Sequence, residues 1–429
     1  MSRKVAVIGG GAAGMMAAIQ AAHLGAQVAL YEKNSRVGKK ILATGNGKCN
    51  FSNMNMDKSA YYGSMASFYD EMFSKFGVRD TIDFFSQCGM LIKDKNCYLY
   101  PRSEQAATVL DVLRFELDKC KVTIYTDMSV EGIRIEQSDS RNSEKSCKNS
   151  DENKRLGVIT VSTASGSNEV KFYDAVILAC GGMAAPKTGS DGSGFRIAQA
   201  LGHNVMDVVP ALVQLRCSET FFKSVAGVRA DAGLTLYIDG QKEAYERGEL
   251  QLTDYGISGI PVFQFSRKAA YGLLHKRKVE ADINFLPDYT DGEYEKLWET
   301  RWKSQSTGSL EQFLTGIANK KINQLIIKLS GCVPNDRVSE IPAKKRKKIE
   351  DLYRSLRVTV GKTNDFEHAQ VSAGGILAEE LTLDLESKIV PNLYFAGEII
   401  DIDGICGGYN LQWAWTSGAV AGRAAATKP

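Results

Sequence analysis

Lys4-Val5-Ala6-Val7-Ile8-Gly9-Gly10-Gly11-Ala12-Ala13-Gly14-Met15-Met16 runs a short β-rich segment into three glycines and then an Ala/Met-rich stretch. The pattern predicts a strand over Lys4–Ile8, a tight turn, and a helix over Ala12–Leu24 with Gly25 past its end. Val28–Tyr31 reads as a second strand ending at Glu32, which completes one βαβ unit of a parallel, doubly wound sheet. Each glycine of Gly9-x-Gly11-x-x-Gly14 has a mechanical role. Gly9 permits the turn, Gly11 lets a pyrophosphate approach the backbone, and Gly14 lets the helix pack on the strand. The helix N-terminus then faces phosphate charge. Glu32, 18 residues beyond Gly14, stands where a carboxylate accepts hydrogen bonds from an adenosine ribose diol. Alone the glycine motif is weak; between two strands and followed by this carboxylate it is strong. It does not separate FAD from NAD, although Glu32 would repel the 2′-phosphate of NADP at this site.

Further glycine clusters extend the reading. The chain has 40 glycines in 429 residues, with eight in 1–47, five in 181–194 and eight in 374–429. Glycine gathers where backbone turns sharply or lies against a ligand. Leu393-Tyr394-Phe395-Ala396-Gly397-Glu398 reads as a strand ending in glycine and a carboxylate, where Glu398 would meet a hydroxyl chain such as ribityl. Gly404-x-x-Gly407-Gly408-Tyr409-Asn410 then leads into a helix from Leu411, whose N-terminus would stabilise negative charge at the pyrimidine edge of a flavin. A dinucleotide anchored at residue 9 and again at 398–411 is extended like FAD. In the middle of the chain, Ala179-Cys180-Gly181-Gly182 follows a strand, and Thr188–Gly194 enters a helix. Thr44-Gly45-Asn46-Gly47-Lys48-Cys49-Asn50 is a compact polar loop that could lie over pyrophosphate or flavin.

Composition excludes several classes. Lys+Arg 53 against Asp+Glu 50 leaves +3, so no polyelectrolyte built around phosphate contacts is expected. No apolar run approaches the ~18 residues that span a bilayer, and Gly9 interrupts the first apolar stretch too early for a signal peptide. Nine scattered cysteines with no Cys-x-x-Cys suggest free thiols in a reducing cytoplasm. Cys49 and Cys406 could serve as redox or flavin-linking thiols, but lone cysteines are more often inert. Four histidines without ligand spacing give no metal site. Lys344-Lys345-Arg346-Lys347-Lys348 raises the alternative of an RNA-associated flavoprotein; a solvated face at the start of a helix explains it more simply.

Helix-like stretches follow at 67–76, 81–88 and 106–120, with strands at 122–125, 130–135, 158–163 and 175–179. Residues 137–154 are Ser/Asn/Lys-rich and resemble a flexible hairpin loop. From about Val205 short alternating strands take over, with a hairpin at Asp239-Gly240, and helical blocks follow at 293–303, 310–329 and 343–355.

Together these blocks resemble the bacterial flavoprotein family that includes aminoacetone oxidases and bile-acid enone reductases, the BaiN-like group. Val7–Gly14, Thr44–Asn50, Ala179–Gly182 with Thr188–Gly194, Gly256-Ile257-Ser258-Gly259, and Glu386-Ser387-Lys388 through Gly418 carry the resemblance. Lys48 departs from the usual Arg, and Ile260 stands before Pro261 where Pro often follows the turn directly. The resemblance implies an α/β fold: a discontinuous Rossmann-like, glutathione-reductase-like FAD-binding domain (1–204 and 365–429), an inserted β-barrel-like substrate domain (205–290) and a small helical subdomain (291–364). It also implies cofactor contacts at Gly9, Gly11, Ala12, Ala13, Gly14, Glu32, Lys33 and Lys40 in the first segment, with Thr44, Gly45, Asn46, Cys49, Asn50 and Val130 after them. The remaining contacts are Ala179, Cys180, Gly181, Gly182 and Thr188, then Gly397, Glu398, Gly407, Gly408, Tyr409, Asn410 and Leu411. The expected reaction moves a hydride between a small organic substrate and flavin N5. The expected substrates are enone- or steroid-like, reduced with NADH or NADPH visiting transiently; the alternative is an amine oxidase using O2 and releasing H2O2. Substrate is expected between the flavin face and the insert, with no catalytic acid or base named.

Overall fold

The computed structural model describes residues 2–64, 66–137, 154–163, 168–304 and 307–427. The chain divides into two compact units, Met1–Val208 with Val371–Pro429, and Val209–Gln370.

In the first unit, β1 (Lys4–Ile8), α1 (Ala12–His23) and β2 (Gln27–Tyr31) form the βαβ element. A helix over Ala66–Lys75, then α2 (Val78–Gln87) and α3 (Ala106–Lys119), come next. They are followed by strands β3 (Thr123–Tyr125), β4 (Ala175–Leu178) and β5 (Leu393–Phe395), then α4 (Tyr409–Thr427). The five strands lie parallel in the order β5-β4-β1-β2-β3. Four of the five residues of β1 are buried, as in a parallel strand covered on both faces. Helix α1 is buried almost all round, from Ala13 to Ala21. That requires α4 to lie close, and the sequence provides for it: a Cβ on Gly418 would come 2.4 Å from the Ala13 carbonyl oxygen, and one on Gly422 would come 2.3 Å from that of Ala17. The two glycines, about one helical turn apart, let backbone meet backbone.

An antiparallel sheet of Met128–Val130, Arg134–Gln137, Lys154–Thr163 and Asn168–Phe172 also belongs to this unit. The strand expected at 130–135 is therefore two short strands. The loop expected at 137–154 lies, but for its ends, outside the described residues.

The second unit is built on a closed antiparallel barrel. Its strand order is Leu215–Cys217, Gly256–Ser258, Gln241–Leu252, Arg229–Ile238, Val279–Asn284 and Leu356–Thr363. Asp239 and Gly240 both take positive φ (51° and 81°), the two-residue turn whose twist suits a hairpin. Val279–Asn284 alternates buried and half-buried positions, the period of a strand with one face in the core. Among the described residues, two helices of this unit have no counterpart in the sequence reading: the short Phe222–Val225 and the long Ile260–Leu274. Ile260–Leu274 opens with Pro261 in its first turn and buries Val262, Phe265 and Ala269 in the barrel core. The helix expected over 310–329 is divided into Leu310–Leu314 and Lys320–Ser330, because Gly316 turns at φ 87° and the Asn319 side chain caps the second piece. Trp298 and Tyr353 join these helices to the same core as the barrel strands.

Candidate functional site

The carboxyl ends of the parallel strands set the site, as is general for open α/β sheets. At the end of β1, the Gly9 N–H donates to the Tyr31 carbonyl at 2.8 Å, and φ is +106°. A Cβ there would stand 2.4 Å from the Ala179 carbonyl oxygen, so the end of β4 and the turn touch through backbone. A Cβ on Gly14 would lie 1.9 Å from the Gly9 carbonyl oxygen. Gly11 differs. It is the N-cap of α1 with no side-chain cap, and a Cβ placed on it meets nothing within 4 Å. The first-turn N–H groups of Ala12, Ala13 and Gly14 have no acceptor within the helix and face this open space. Such a terminus is suited to an anion.

Glu32 is buried, with 8% exposure. Its Oε2 accepts from the Gly10 N–H at 2.9 Å, and its Oε1 accepts from the backbone and side-chain N–H groups of Asn34 at 2.8 and 2.7 Å. A carboxylate has about four acceptor positions, so capacity remains for a hydroxyl. Asn34 also donates to the Thr188 carbonyl at 3.1 Å, and Lys33 pairs with Asp191 at 2.7 Å. These contacts fasten the 188–191 loop beside Glu32. Burial opposes ionisation of Asp191, but hydrogen bonds from Lys33 and Ser193 outweigh it and hold the carboxyl below the usual range. Val130 is buried in the neighbouring strand, whose Met128 N–H donates to the Glu32 carbonyl at 3.0 Å.

At the other end, Lys40 pairs with Glu398 Oε2 at 2.8 Å, while Glu398 Oε1 accepts from the N–H and hydroxyl of Ser372 at 2.7 and 2.8 Å. Gly182 is required here, since its Cβ would fall 1.9 Å from the Ser372 hydroxyl. The Thr44–Asn50 loop winds through left-handed conformations at Gly45, Asn46 and Cys49, with the Thr44 hydroxyl donating to Ile41. It meets the start of α4: a Cβ on Gly408 would lie 2.9 Å from Asn50 Oδ1. Gly397 packs on α1, where its Cβ would be 2.8 Å from that of Ala13, and its N–H donates to Ser417.

Some expected contacts have other occupations. Asn410 clamps the preceding loop, accepting from the Gly404 N–H at 2.8 Å and donating to its carbonyl at 2.7 Å. Its backbone N–H, with those of Tyr409 and half-buried Leu411, remains the free first turn of α4. The Tyr409 hydroxyl donates to the Asn55 carbonyl. Burial pushes the Cys49 thiol up to about 11 and those of Cys180 and Cys406 to about 12, so all three are protonated near neutrality. Two partners had no motif to reveal them: Asn34 and Ser372 each act through a carboxylate contributed by another residue.

The fit to an extended dinucleotide can be tested on buried polar atoms. Asn50 Oδ1 and Ser190 Oγ are buried without a hydrogen-bond partner among the described residues. One faces Gly408 and the other faces Gly181 at the opposite flank. Unpaired buried acceptors and donors are rare and costly, so a polar ligand at both places fits this cradle.

The comparisons agree with that shape. The family model described as the HI0933-like protein Rossmann domain matches residues 3–424. The 3-dehydro-bile acid delta(4,6)-reductase of Clostridium scindens is 42% identical, over 99% of this chain and 100% of that protein. The ribosomal RNA dihydrouridine synthase of Escherichia coli is 26% identical over 96% and 95%. Among solved structures, 3-ketosteroid delta1-dehydrogenase from Sterolibacterium denitrificans superposes with a TM-score of 0.52 at 14% identity, covering 99% of this chain and 100% of that one, a likeness of fold.

Proposed function

The chain belongs to the HI0933-like family and is a FAD-dependent oxidoreductase, and within that class we propose that it reduces a carbon–carbon double bond conjugated with a carbonyl. The substrate we assign is a steroid-like, bile-acid-like ring system, with NADH or NADPH as the transient donor. The observation carrying this reading is the 42% identity, end to end, with a bile acid delta(4,6)-reductase. The more distant dihydrouridine synthase supports the same bond type. Uridine's C5–C6 double bond is conjugated with its C4 carbonyl, as a 3-oxo steroid's 4,6-diene is with C3.

When bound, FAD would supply hydride to the conjugated double bond. The chain's own residues hold and polarise. The free first turn of α1, over Gly11, receives the pyrophosphate; Glu32 takes the adenosine ribose; Lys40, Ser372 and Glu398 form a charged, hydrogen-bonded group for the ribityl end. The N-terminus of α4, after Gly407 and Gly408, offers backbone donors and a positive dipole end to an anionic ring edge.

The RNA reading has a relative in its favour but not the basic run. Arg346 stacks over Trp302 at 5.0 Å and donates to the Ile341 carbonyl. Lys345 donates to Gly331, and Lys347 pairs with Asp351 at 3.2 Å. Three of the five cations are thus engaged by their own unit, which favours a small-molecule substrate. The test is anaerobic reduction of the holoenzyme by NADH, NADPH and candidate amines in parallel. Bleaching of the flavin by a nicotinamide is the expected result. Bleaching only by an amine, with peroxide formed on admitting air, would overturn the reductase in favour of an oxidase.

A further inference from the structure

Helices α1, α2 and α3 end at one place. His23 is the last residue of α1, Cys88 is the C-cap of α2, and α3 contributes Glu116 in its last turn and Cys120 as its C-cap. Glu116 and Cys120, four apart, share a helical face. His23 Nε2 lies 2.9 Å from Glu116 Oε1, and the Cys120 thiol donates to the same oxygen at 3.7 Å. The donor atoms of His23, Glu116 and Cys120 all lie within 4.8 Å of one another; among the described residues no other three His, Cys, Asp or Glu side chains are so gathered. The Cys88 thiol sits against the same carboxylate. Sequence spacing hides the group because its members come from two helices more than 90 residues apart.

We propose that His23, Glu116 and Cys120 form a three-ligand site for a thiophilic divalent cation of the zinc class, with water completing the tetrahedron. Nitrogen, thiolate and carboxylate together match that class, whereas magnesium or calcium would want oxygen alone. The electrostatics favour a cation as well. Three helix C-termini present their carbonyl ends here, each the negative pole of a helix dipole. The Glu116 side chain is only 8% exposed, and the groups now beside it reach into water: the His23 side chain is 42% exposed and the Lys119 side chain, its ammonium at 3.1 Å, is 75% exposed. Binding displaces the Lys119 ammonium into solvent and releases the Cys120 thiol proton to it, with no change of oxidation state. Helix α1 is 12 residues long, so this end lies about 18 Å from Gly11. The site therefore braces α1 against α3 and takes no part in hydride transfer.

The test uses the FAD-loaded protein, stripped with a chelator and dialysed against zinc or cobalt(II) chloride. About one zinc per chain should survive gel filtration, and cobalt should show tetrahedral bands to the red of flavin absorption. Cys120→Ser and His23→Ala should each weaken zinc binding at least tenfold. The flavin spectrum confirms that each variant is folded. Zinc retention by a folded Cys120→Ser/His23→Ala double variant equal to that of the parent would overturn the site, as would a parent protein that retains none.

Discussion

Gly11→Ala isolates the cofactor cradle from the fold that carries it. Gly11 sits at φ −80°, ψ −170°, which alanine adopts freely, and its added Cβ meets no atom within 4 Å. The apoprotein should fold as before, or gain roughly 0.4–1 kcal/mol from a less flexible unfolded chain. The new methyl instead occupies the space above the first turn of α1, where a pyrophosphate must touch backbone. Overpacking by one methyl group costs about 1–3 kcal/mol, which as affinity is roughly five- to 150-fold. Gly14→Ala is the contrasting variant. Its Cβ would lie 1.9 Å from the Gly9 carbonyl oxygen, so α1 would have to retreat by about 1.5 Å to reach the 3.4 Å of ordinary contact. It should therefore lower the melting temperature of the apoprotein itself. The assays are thermal unfolding of both apoproteins and FAD titration followed by quenching of flavin fluorescence. A folded Gly11→Ala protein that binds FAD with parental affinity would refute the placement of the pyrophosphate over Gly11.

Other outcomes follow from the same geometry. Glu32→Ala removes the acceptor of the Gly10 and Asn34 N–H groups, so FAD retention on gel filtration should fall at least tenfold, about 1.4 kcal/mol. Asn410→Ala loses both bonds to Gly404 and should destabilise the protein by about 1–3 kcal/mol in urea unfolding. Asp191, whose carboxyl is held low in the folded protein, contributes stability above its unfolded value of about 3.9 and loses it as pH falls through the lower folded value. The stability difference between the parent and Asp191→Asn should accordingly shrink on acidification through that window. Alkylation near neutral pH should leave Cys49 unmodified and flavin content unchanged, since the thiol is wholly buried and raised to about 11; peptide mapping reads this directly.

Much of the first unit was legible because local chemistry and fold coincide there. Gly9, Gly11, Gly14 and Glu32 each act within one βαβ unit, and in the second unit Asp239-Gly240 specifies its own hairpin. The third glycine cluster was only partly what it resembled. Gly407 and Gly408 turn into α4, but Gly418 and Gly422 are helix-packing contacts against α1. Glycine for a ligand and glycine for a neighbouring helix look alike until the neighbour is known. The helix Ile260–Leu274 escaped because residues 256–265 mix glycine, proline and β-branched residues in a β-rich context, and its apolar residues are not confined to a narrow stripe. Ser372, the bond from Asn34 to the Thr188 carbonyl and the His23–Cys120 cluster depend on contacts between distant segments, which no local pattern records.

The most direct test of the central claim is the oxidative half-reaction. Holoenzyme reduced photochemically without oxygen is mixed with a 3-oxo-4,6-diene bile acid, and flavin absorbance and product are followed together. The account predicts saturable reoxidation of the flavin with one double bond reduced per FAD. Flavin that stays reduced with the dienone and is reoxidised only when air enters would contradict it.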